Sequence, residues 1–513
     1  MRIPRTRIPR ARNNDGDEQG GLTLGMEPRT AIFRLRVRDA MGAAPPHVGP
    51  ATPLGEIVGL MVRAQASGVV IVDGDGRPLG IVTEHDIARK AAFRLPPETP
   101  VSEVMTQPPM TTRDDDYVYQ AIARMRRTGL RHMPVVDSAG LLVGLLTLHD
   151  TLGTATRTLM EQIDSLTRDD DIAGLAEIKR AQIDLADQLF HDNARATEIQ
   201  ALLSHINLDL YHRVVDRNVK ALADAGKGPP PVGFSVIVMG SGGRGESFLF
   251  PDQDNGFILE DYPDDRHGEI DAWFIALAER MVADLDAIGL PLCKGYVMAT
   301  NPLWRKTISQ WKEQIRLWSR KRGTTMLRLC DIFFDFRSAW GQDNLADDLR
   351  RHVTQTAQGN HAFLREMYED DKDHGPALGW FRRFITMKES DAAGYKGYLN
   401  LKHSGTLPLV EAMRLLSLRE GLTINPTLDR MAALRERGIL DADEADYLEG
   451  AYHHISRLLL RRQIADFKSG KPVTNYVHPS SLTRRETDIL KDGFEAIRRL
   501  QDRLRGEFTG DVM

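Results

Sequence analysis

Two cysteines, Cys293 and Cys330, are all that the 513 residues contain. Two thiols build neither a disulfide framework nor a four-ligand zinc site, and their scarcity fits a reducing cytoplasm. Long apolar runs are also missing: no stretch approaches the roughly 20 residues that a membrane helix requires. Basic charge is not in excess, with 67 Lys and Arg against 72 Asp and Glu and a net charge of -5. That balance speaks against a nucleic-acid partner, because a long phosphate backbone calls for a basic surface. The segment MRIPRTRIPRARNNDGDEQGG lacks the apolar centre of a secretory signal, so residues 1–30 read as a disordered arm.

What is present is an ordinary globular composition, 42% hydrophobic and 27% charged, on a chain long enough for several domains. A repeat stands out first. Met41 and Met105, Met61 and Met125, Asp73 and Asp137, Gly76 and Gly140, Gly80 and Gly144, Thr83 and Thr147, and Asp86 and Asp150 all share one offset of 64. Each copy carries an amphipathic helix, a short apolar strand, an Asp/Gly turn, and a second strand ending in Thr with an Asp three residues on. A strand that ends in Thr before a helix start suits a phosphate and ribose: hydroxyl and helix amides meet phosphate, and the carboxylate accepts from ribose. Asp86 and Asp150 as plain helix caps is the competing reading.

Residues 31–155 resemble a tandem CBS pair, the pattern being V-V-D-x-x-G-x-x-x-G-I-V-T-x-x-D. The resemblance implies an adenine nucleotide or adenosyl compound held by Thr83, Asp86, Thr147 and Asp150, and a homodimer formed through the pair. Residues 156–225 read as a helical connector, with Leu159, Ile163 and Leu166 on one face and Ile199, Leu202, Ile206 and Leu210 on another. Gly226–Gly233 (GKGPPPVG) then breaks the helix.

Phe234–Met239 reads as a buried strand running into Gly240-Ser241-Gly242-Gly243-Arg244-Gly245-Glu246, followed by Asp252-Gln253-Asp254. Glycine removes the Cβ that would keep backbone amides from phosphate. The turn is not a Walker loop, since it lacks the terminal Gly-Lys-Ser/Thr. Aspartates at i and i+2 on a strand share a face, and their paired charge suits one or two magnesium or manganese ions. Arg244 suits a phosphate or holds Glu246 in place. A third carboxylate is expected from Asp331-Ile-Phe-Phe-Asp335-Phe-Arg337. Read as a strand, that segment puts Ile332, Phe334 and Phe336 on one face and Asp331, Asp335 and Arg337 on the other; Asp335 is the choice, with Asp331 as the fallback. Trp304, Trp311 and Trp318 recur every seven residues as a packing seam, and Cys293 reads as a small core residue.

The combination G-S-x-x-R-x-E, D-Q-D and F-F-D-F-R resembles the nucleotidyltransferase module of protein-PII uridylyltransferases and glutamine synthetase adenylyltransferases, in the DNA polymerase beta superfamily. More closely it resembles a family of CBS-linked signalling nucleotidyltransferases. That likeness extends through Leu399-Asn400-Leu401-Lys402 and Pro408–Arg414, which look like the family's substrate-binding segment. It implies an α+β multidomain chain: the CBS pair, a polymerase-beta-type core over 226–370, and a helical substrate-binding domain over 371–513. It implies transfer of NMP from an NTP to a hydroxyl on a protein acceptor. Asp252, Asp254 and Asp335 would be catalytic and metal-binding, and Gly240, Ser241, Arg244, Glu246 and Lys402 would hold the NTP. Lys402 as a plain surface charge stands beside that. His85-Asp86, His149-Asp150 and His191-Asp192 belong to no hydrolase domain, so demodification is not supported. Two rivals remain: an RNA acceptor of the tRNA type, and a non-catalytic nucleotide sensor.

Overall fold

The computed structural model describes residues 33, 35–42, 44–64, 66–91, 95–147, 171–320, 332–371, 374–391 and 394–509. The arm 1–30, and His149, Asp150, Leu159, Ile163, Leu166, Cys330 and Asp331, lie outside them.

The repeat of 64 residues folds as two matching units. The first has β1 (His47–Val48), α1 (Leu54–Ala64), β2 (Gly68–Val72) and β3 (Pro78–Thr83). The second has β4 (Thr112–Arg113), α2 (Val118–Thr128), β5 (His132–Val136) and β6 (Leu142–Thr147). In each, the first strand pairs parallel and the last antiparallel to the middle one; Val70 faces Ile81 as Pro134 faces Leu145. The repeated turn residues have a local cause. Asp73 Oδ1 accepts from the Asp75 and Arg77 amides, and Asp137 Oδ1 from the Ala139 and Leu141 amides. Gly76 and Gly140 close those turns at φ +88° and +79°, where a side chain would be strained.

The two units exchange their leading segments. Gly42 bridges Leu145, and Thr106 bridges Ile81. Met41 lies so close over Gly144 that a Cβ there would meet its sulfur at 2.4 Å; Met105 covers Gly80 in the same way, at 2.5 Å. The shared offset of Met41 and Met105, and of Gly80 and Gly144, is therefore one reciprocal contact made twice.

α3 (Ile172–His191) and α4 (Ala196–Leu222) are more than a connector. Ile199, Leu202, Ile206 and Leu210 are buried, as their spacing leads one to expect. They join one apolar core that runs from the second repeat through α4 into the rest of the chain, whereas the first repeat keeps a small core of its own around Ile57, Val69 and Val82. His205 on α4 hydrogen-bonds Gln120 of the second repeat at 2.6 Å.

The central sheet has strand order β10-β7-β8-β9, made of β7 (Phe234–Val238), β8 (Asn255–Leu259), β9 (Arg305–Thr307) and β10 (Arg337–Gly341). β7 is antiparallel to both neighbours and β9 parallel to β8. α5 (His267–Ala287), α6 (Ile308–Trp318) and α7 (Asp343–Ala357) surround it. Ile270, Trp273, Phe274, Leu277, Met281 and Leu285 form the buried stripe of α5. Trp311 and Trp318 lie on α6, but Trp304 sits ahead of it in a single 3-10 turn. All three pack around Phe333, which stacks on Trp311 at 4.6 Å. Truncating such a buried ring costs about 3–5 kcal/mol.

The C-terminal part is α8 (His361–Asp371), the strand pair β11 (Leu399–Asn400) and β12 (Tyr476–Val477), α9 (Leu407–Arg419), α10 (Thr427–Glu436), α11 (Ala442–Lys468) and α12 (Arg484–Thr509). α9 is buried almost throughout, including Glu411 and Arg414. Among the described residues no helix is long and apolar enough to cross a membrane.

Candidate active site

β7 is fully buried between β8 and β10, and the chain leaves it at the C-terminal end of the strand. There Gly240 takes φ +58° and begins a one-turn helix that ends at Gly245, φ +75°. A Cβ on Gly240 would lie 3.2 Å from Asp254 Oδ2. Glycine thus brings the turn against that carboxylate, while the Met239 amide donates to the Asp254 carbonyl at 2.9 Å.

The middle residue of Asp252-Gln253-Asp254 fixes the other two. Gln253 is fully buried and donates to the Val282 and Leu290 carbonyls at 3.1 and 2.7 Å. Asn255, equally buried, accepts from the Ala299 amide. With Gln253 and Asn255 bolted inward, period-2 geometry sends Asp252 and Asp254 the other way; Asp252 is exposed and Asp254 half-buried. Burial first, and then the charge of Asp252, push the Asp254 carboxyl up to about 6, against the Cys293 thiol and the cations Lys402 and Arg244. Cys293 is in turn pushed up to about 11, by burial and by Asp254. The Cys293 thiol thus hydrogen-bonds the Asp254 carboxyl, while Asp252 and Lys402 act on it electrostatically. Lys402 begins the helical turn Lys402–Thr406 that runs into α9. Cys293, which the sequence presents only as a small core residue, is a neighbour of Asp254. The crevice beside the aspartates, lined by Met239, Gly242 and Tyr211, holds only about 20 Å³. A far larger cavity, about 1110 Å³, lies beyond Arg244 and Glu246, between the second repeat, α4 and β10.

Behind the turn is Lys179, fully buried on α3, which donates to Gln182 Oε1, Asn207 Oδ1 and the Leu249 carbonyl at 2.8, 3.0 and 2.9 Å. It ties α3 and α4 to the strand-connecting loop that precedes Asp252. Burial pulls its ammonium down to about 7, and three acceptors matched to three N–H groups oppose that pull.

The expected place of Asp335 needs correction. Residues 332–336 are not a strand: Ile332–Phe333 are helical, a bend follows, and β10 starts only at Arg337. Alternation fails, and Phe333, Phe334 and Phe336 are all buried. Asp335, 0% exposed, accepts from Arg244 Nη1 at 2.7 Å, Arg414 Nε at 3.2 Å and Arg430 Nη2 at 2.7 Å. Both its oxygens are used by arginines, so it is not placed as a third metal ligand. Arg244 and Glu246 are likewise interior: Arg244 Nε donates to Glu246 Oε2 at 2.6 Å, and Glu246 Oε1 accepts from the Thr427 amide at the start of α10. Burial works against the Arg244 charge, but Glu246 and Asp335 hold its pKa above the usual arginine value. This lattice clamps the Gly-rich turn to α9 and α10. Among the described residues no group of three or more His, Cys, Asp or Glu is set to hold a metal.

In the repeats, Asp86 is a cap. Its Oδ2 accepts from the Thr83 amide and hydroxyl at 3.0 and 2.8 Å, and its Oδ1 meets Lys90 and Thr106 at 2.8 and 3.1 Å. Against burial, which raises it, Lys90 and Thr83 hold its carboxyl below the usual range. Thr147 ends β6 opposite His132; Asp150 lies outside the described residues.

Comparison with known proteins divides the chain the same way. Residues 37–92 and 101–154 match the CBS domain, residues 180–325 match the family described as "Putative nucleotidyltransferase DUF294", and residues 361–508 match "Putative nucleotidyltransferase substrate binding domain". An uncharacterised protein of Methanopyrus kandleri is 37% identical over 86 residues, 16% of this chain and 44% of that protein. Inosine-5'-monophosphate dehydrogenase of Mycobacterium tuberculosis is 33% identical over 123 residues, 24% of this chain and 21% of the enzyme. The chain thus spans less than half the length of either. A solved CBS domain protein of Pyrobaculum aerophilum, complexed with AMP, is 28% identical, covering 26% of this chain and 99% of that one with a TM-score of 0.23.

Proposed function

Because this chain belongs to the DUF294 nucleotidyltransferase family, with a CBS pair ahead of the transferase and the family's substrate-binding domain after it, we propose that it moves NMP from an NTP to an acceptor hydroxyl, the acceptor being a protein, under control of an adenine nucleotide at the CBS pair. The observation that carries this reading is the apposition of Gly240 to Asp254, with Asp252 on the same side of Gln253.

The donor set suits a hard divalent cation. Burial first, and then repulsion by Asp252, lift the Asp254 carboxyl above the usual carboxylate range despite Lys402 and Arg244. A bound cation relieves that repulsion, and phosphate oxygens and water fill the remaining positions of magnesium or manganese. Asp252 and Asp254 would hold it; the ion would neutralise triphosphate charge and lower the pKa of an attacking hydroxyl. The chain's own residues do the rest. Gly240 and Ser241 offer the start of the turn to phosphate. Lys402, exposed beside Asp254, supplies a positive charge from the substrate-binding domain. Asp335, Arg244 and Glu246 position that turn from behind.

In the sensor, Thr83 and Thr147 end equivalent strands, and the core shared by the second repeat and α4 supplies a physical link to the transferase. A second copy joined through the CBS pair belongs to the same reading. Incubation with α-labelled ATP, UTP, GTP and CTP, cell lysate and magnesium tests the reaction. A labelled protein supports it; labelled tRNA moves the acceptor to RNA; no labelled species and no pyrophosphate with any NTP leaves only a sensor.

A further inference from the structure

A cavity of about 680 Å³ lies wholly within the C-terminal helical part, between α8, α9 and α12. Its polar feature is a pair of carboxyl groups on two helices, Asp371 at the end of α8 and Glu411 on α9, 9% and 2% exposed. Among the described residues Asp371 Oδ2 and Glu411 Oε2 have no hydrogen-bond partner. Burying a carboxylate oxygen without a donor is costly, so the arrangement is incomplete as it stands. The cations on the same wall are engaged elsewhere: Arg498 donates to the Leu378 carbonyl, and Arg505 pairs with Asp502. Leu378, Ile385, Leu415 and Leu504 give the wall an apolar side.

We infer that this cavity binds a primary ammonium group on an aliphatic stem, seated between Asp371 and Glu411 and belonging to the acceptor. The last clause rests on the transfer reading above. An ammonium brings three N–H donors and one positive charge to two oxygens that lack both, and the apolar wall takes the stem. A metal ion fits less well: Asp502 on the same wall is paired with Arg505, and among the described residues no group of three or more His, Cys, Asp or Glu is set to hold one.

The position suits an acceptor site. Glu411 is three residues before Arg414, which donates to Asp335. His374 Nδ1 is joined to Glu411 Oε1 at 2.8 Å, and its ring meets that of His403 at 4.4 Å, next to Lys402. The charged groups acting on the pair leave it short of positive charge. Burial raises both acids, and Asp370 and Asp335 push the same way; Arg244 pulls Glu411 back only in part, leaving it at about 9. Tyr368 and Glu369 on α8 and Asp502 on α12 complete the polar surroundings. An incoming ammonium therefore displaces a carboxyl proton to solvent.

The test uses the full chain and three probes: pentylamine, 1-pentanol as its neutral counterpart, and magnesium chloride. Pentylamine should raise the melting temperature by about 2 °C or more at saturating concentration. Calorimetry in buffers of different ionisation heat should show proton release near neutral pH. Asp371→Asn and Glu411→Gln should remove both effects. Equal shifts from pentanol and pentylamine, or no shift from either, overturn the inference, as does a larger response to magnesium that Asp371→Asn and Glu411→Gln abolish. Should either variant not fold, the wild-type comparison of amine with alcohol still decides. The readout is independent of turnover: amine binding with no NTP transfer retains the pocket and sinks the reaction, and transfer without amine binding does the reverse.

Discussion

Arg430 Nη2 donates to Asp335 Oδ1 at 2.7 Å, joining a guanidinium 2% exposed to a carboxylate with no exposure at all across 95 residues of sequence. Arg244 and Arg414 complete the hub, and it fastens the Gly-rich turn to the helical part. Removing Asp335 takes a shared carboxylate from three buried arginines, of which Arg244 keeps Glu246. Asp335→Ala is expected to cost about 3–5 kcal/mol of stability, the range for breaking a buried pair from one side. Urea unfolding measures it. Unchanged stability with altered metal dependence would return Asp335 to the metal site.

Gly243→Ala should be nearly as damaging. A Cβ there would lie 1.7 Å from the Asp335 carbonyl oxygen, a backbone atom that cannot swing aside. Overpacking of this kind costs about 1–3 kcal/mol or more. A melting temperature within a degree of wild type would show that the turn stands further from Asp335.

Asp252→Asn and Asp254→Asn should each lower magnesium-dependent transfer at least about 10²-fold, the scale of losing one preorganised electrostatic contact to the transition state. Neither should unfold the chain, because Gln253 and Asn255 hold the strand. Pyrophosphate release and circular dichroism together check this; wild-type turnover in the double variant refutes the assignment.

Lys179 gives a pH signature. Its folded pKa is pulled down to about 7 from an unfolded value of 10.5. Between those values the unfolded chain binds the extra proton, so stability rises with pH from about 7 to 10. Below 7 the full cost of the buried charge remains. Lys179→Met should lack that rise, and the check is the wild-type minus variant difference in urea melts at pH 7, 8.5 and 10. A flat difference would mean that Gln182, Asn207 and Leu249 keep the ammonium charged in the fold.

Asp86→Ala should remove the N3 half of the capping box that Thr83 opens, at a cost of about 1 kcal/mol, with Lys90 and Thr106 released as well. It should also weaken the rise in melting temperature that AMP or ATP gives the full chain. An unchanged nucleotide response would make Asp86 a cap alone.

Local and periodic information carried the sequence reading. The repeat was legible because Asp73, Gly76, Asp137 and Gly140 answer to turns of four residues. The inward-outward order of Asp252, Gln253 and Asp254 followed from strand period. Asp335 misled because aromatic and acidic residues in alternation look like a strand, while the three arginines that decide its role are 79 to 95 positions away. Arg244 was legible as a partner of Glu246 but not as a partner of Asp335. Glu411 sits in an apolar helix, where only the arrival of Asp371 from α8 shows that its burial is paired with a second acid.

The exchange of leading segments between the repeats has a consequence for how the chain tolerates variation. Met41 covers Gly144 and Met105 covers Gly80, so a bulkier residue at Gly80 is relieved by trimming Met105, in the other copy, and not by any change within its own. Paired substitutions at 80 and 105, or at 41 and 144, should rescue one another, whereas 41 with 80 should merely add their defects. Inheritance of one copy without the other is barred for the same reason, since each would leave behind the cover of its twin.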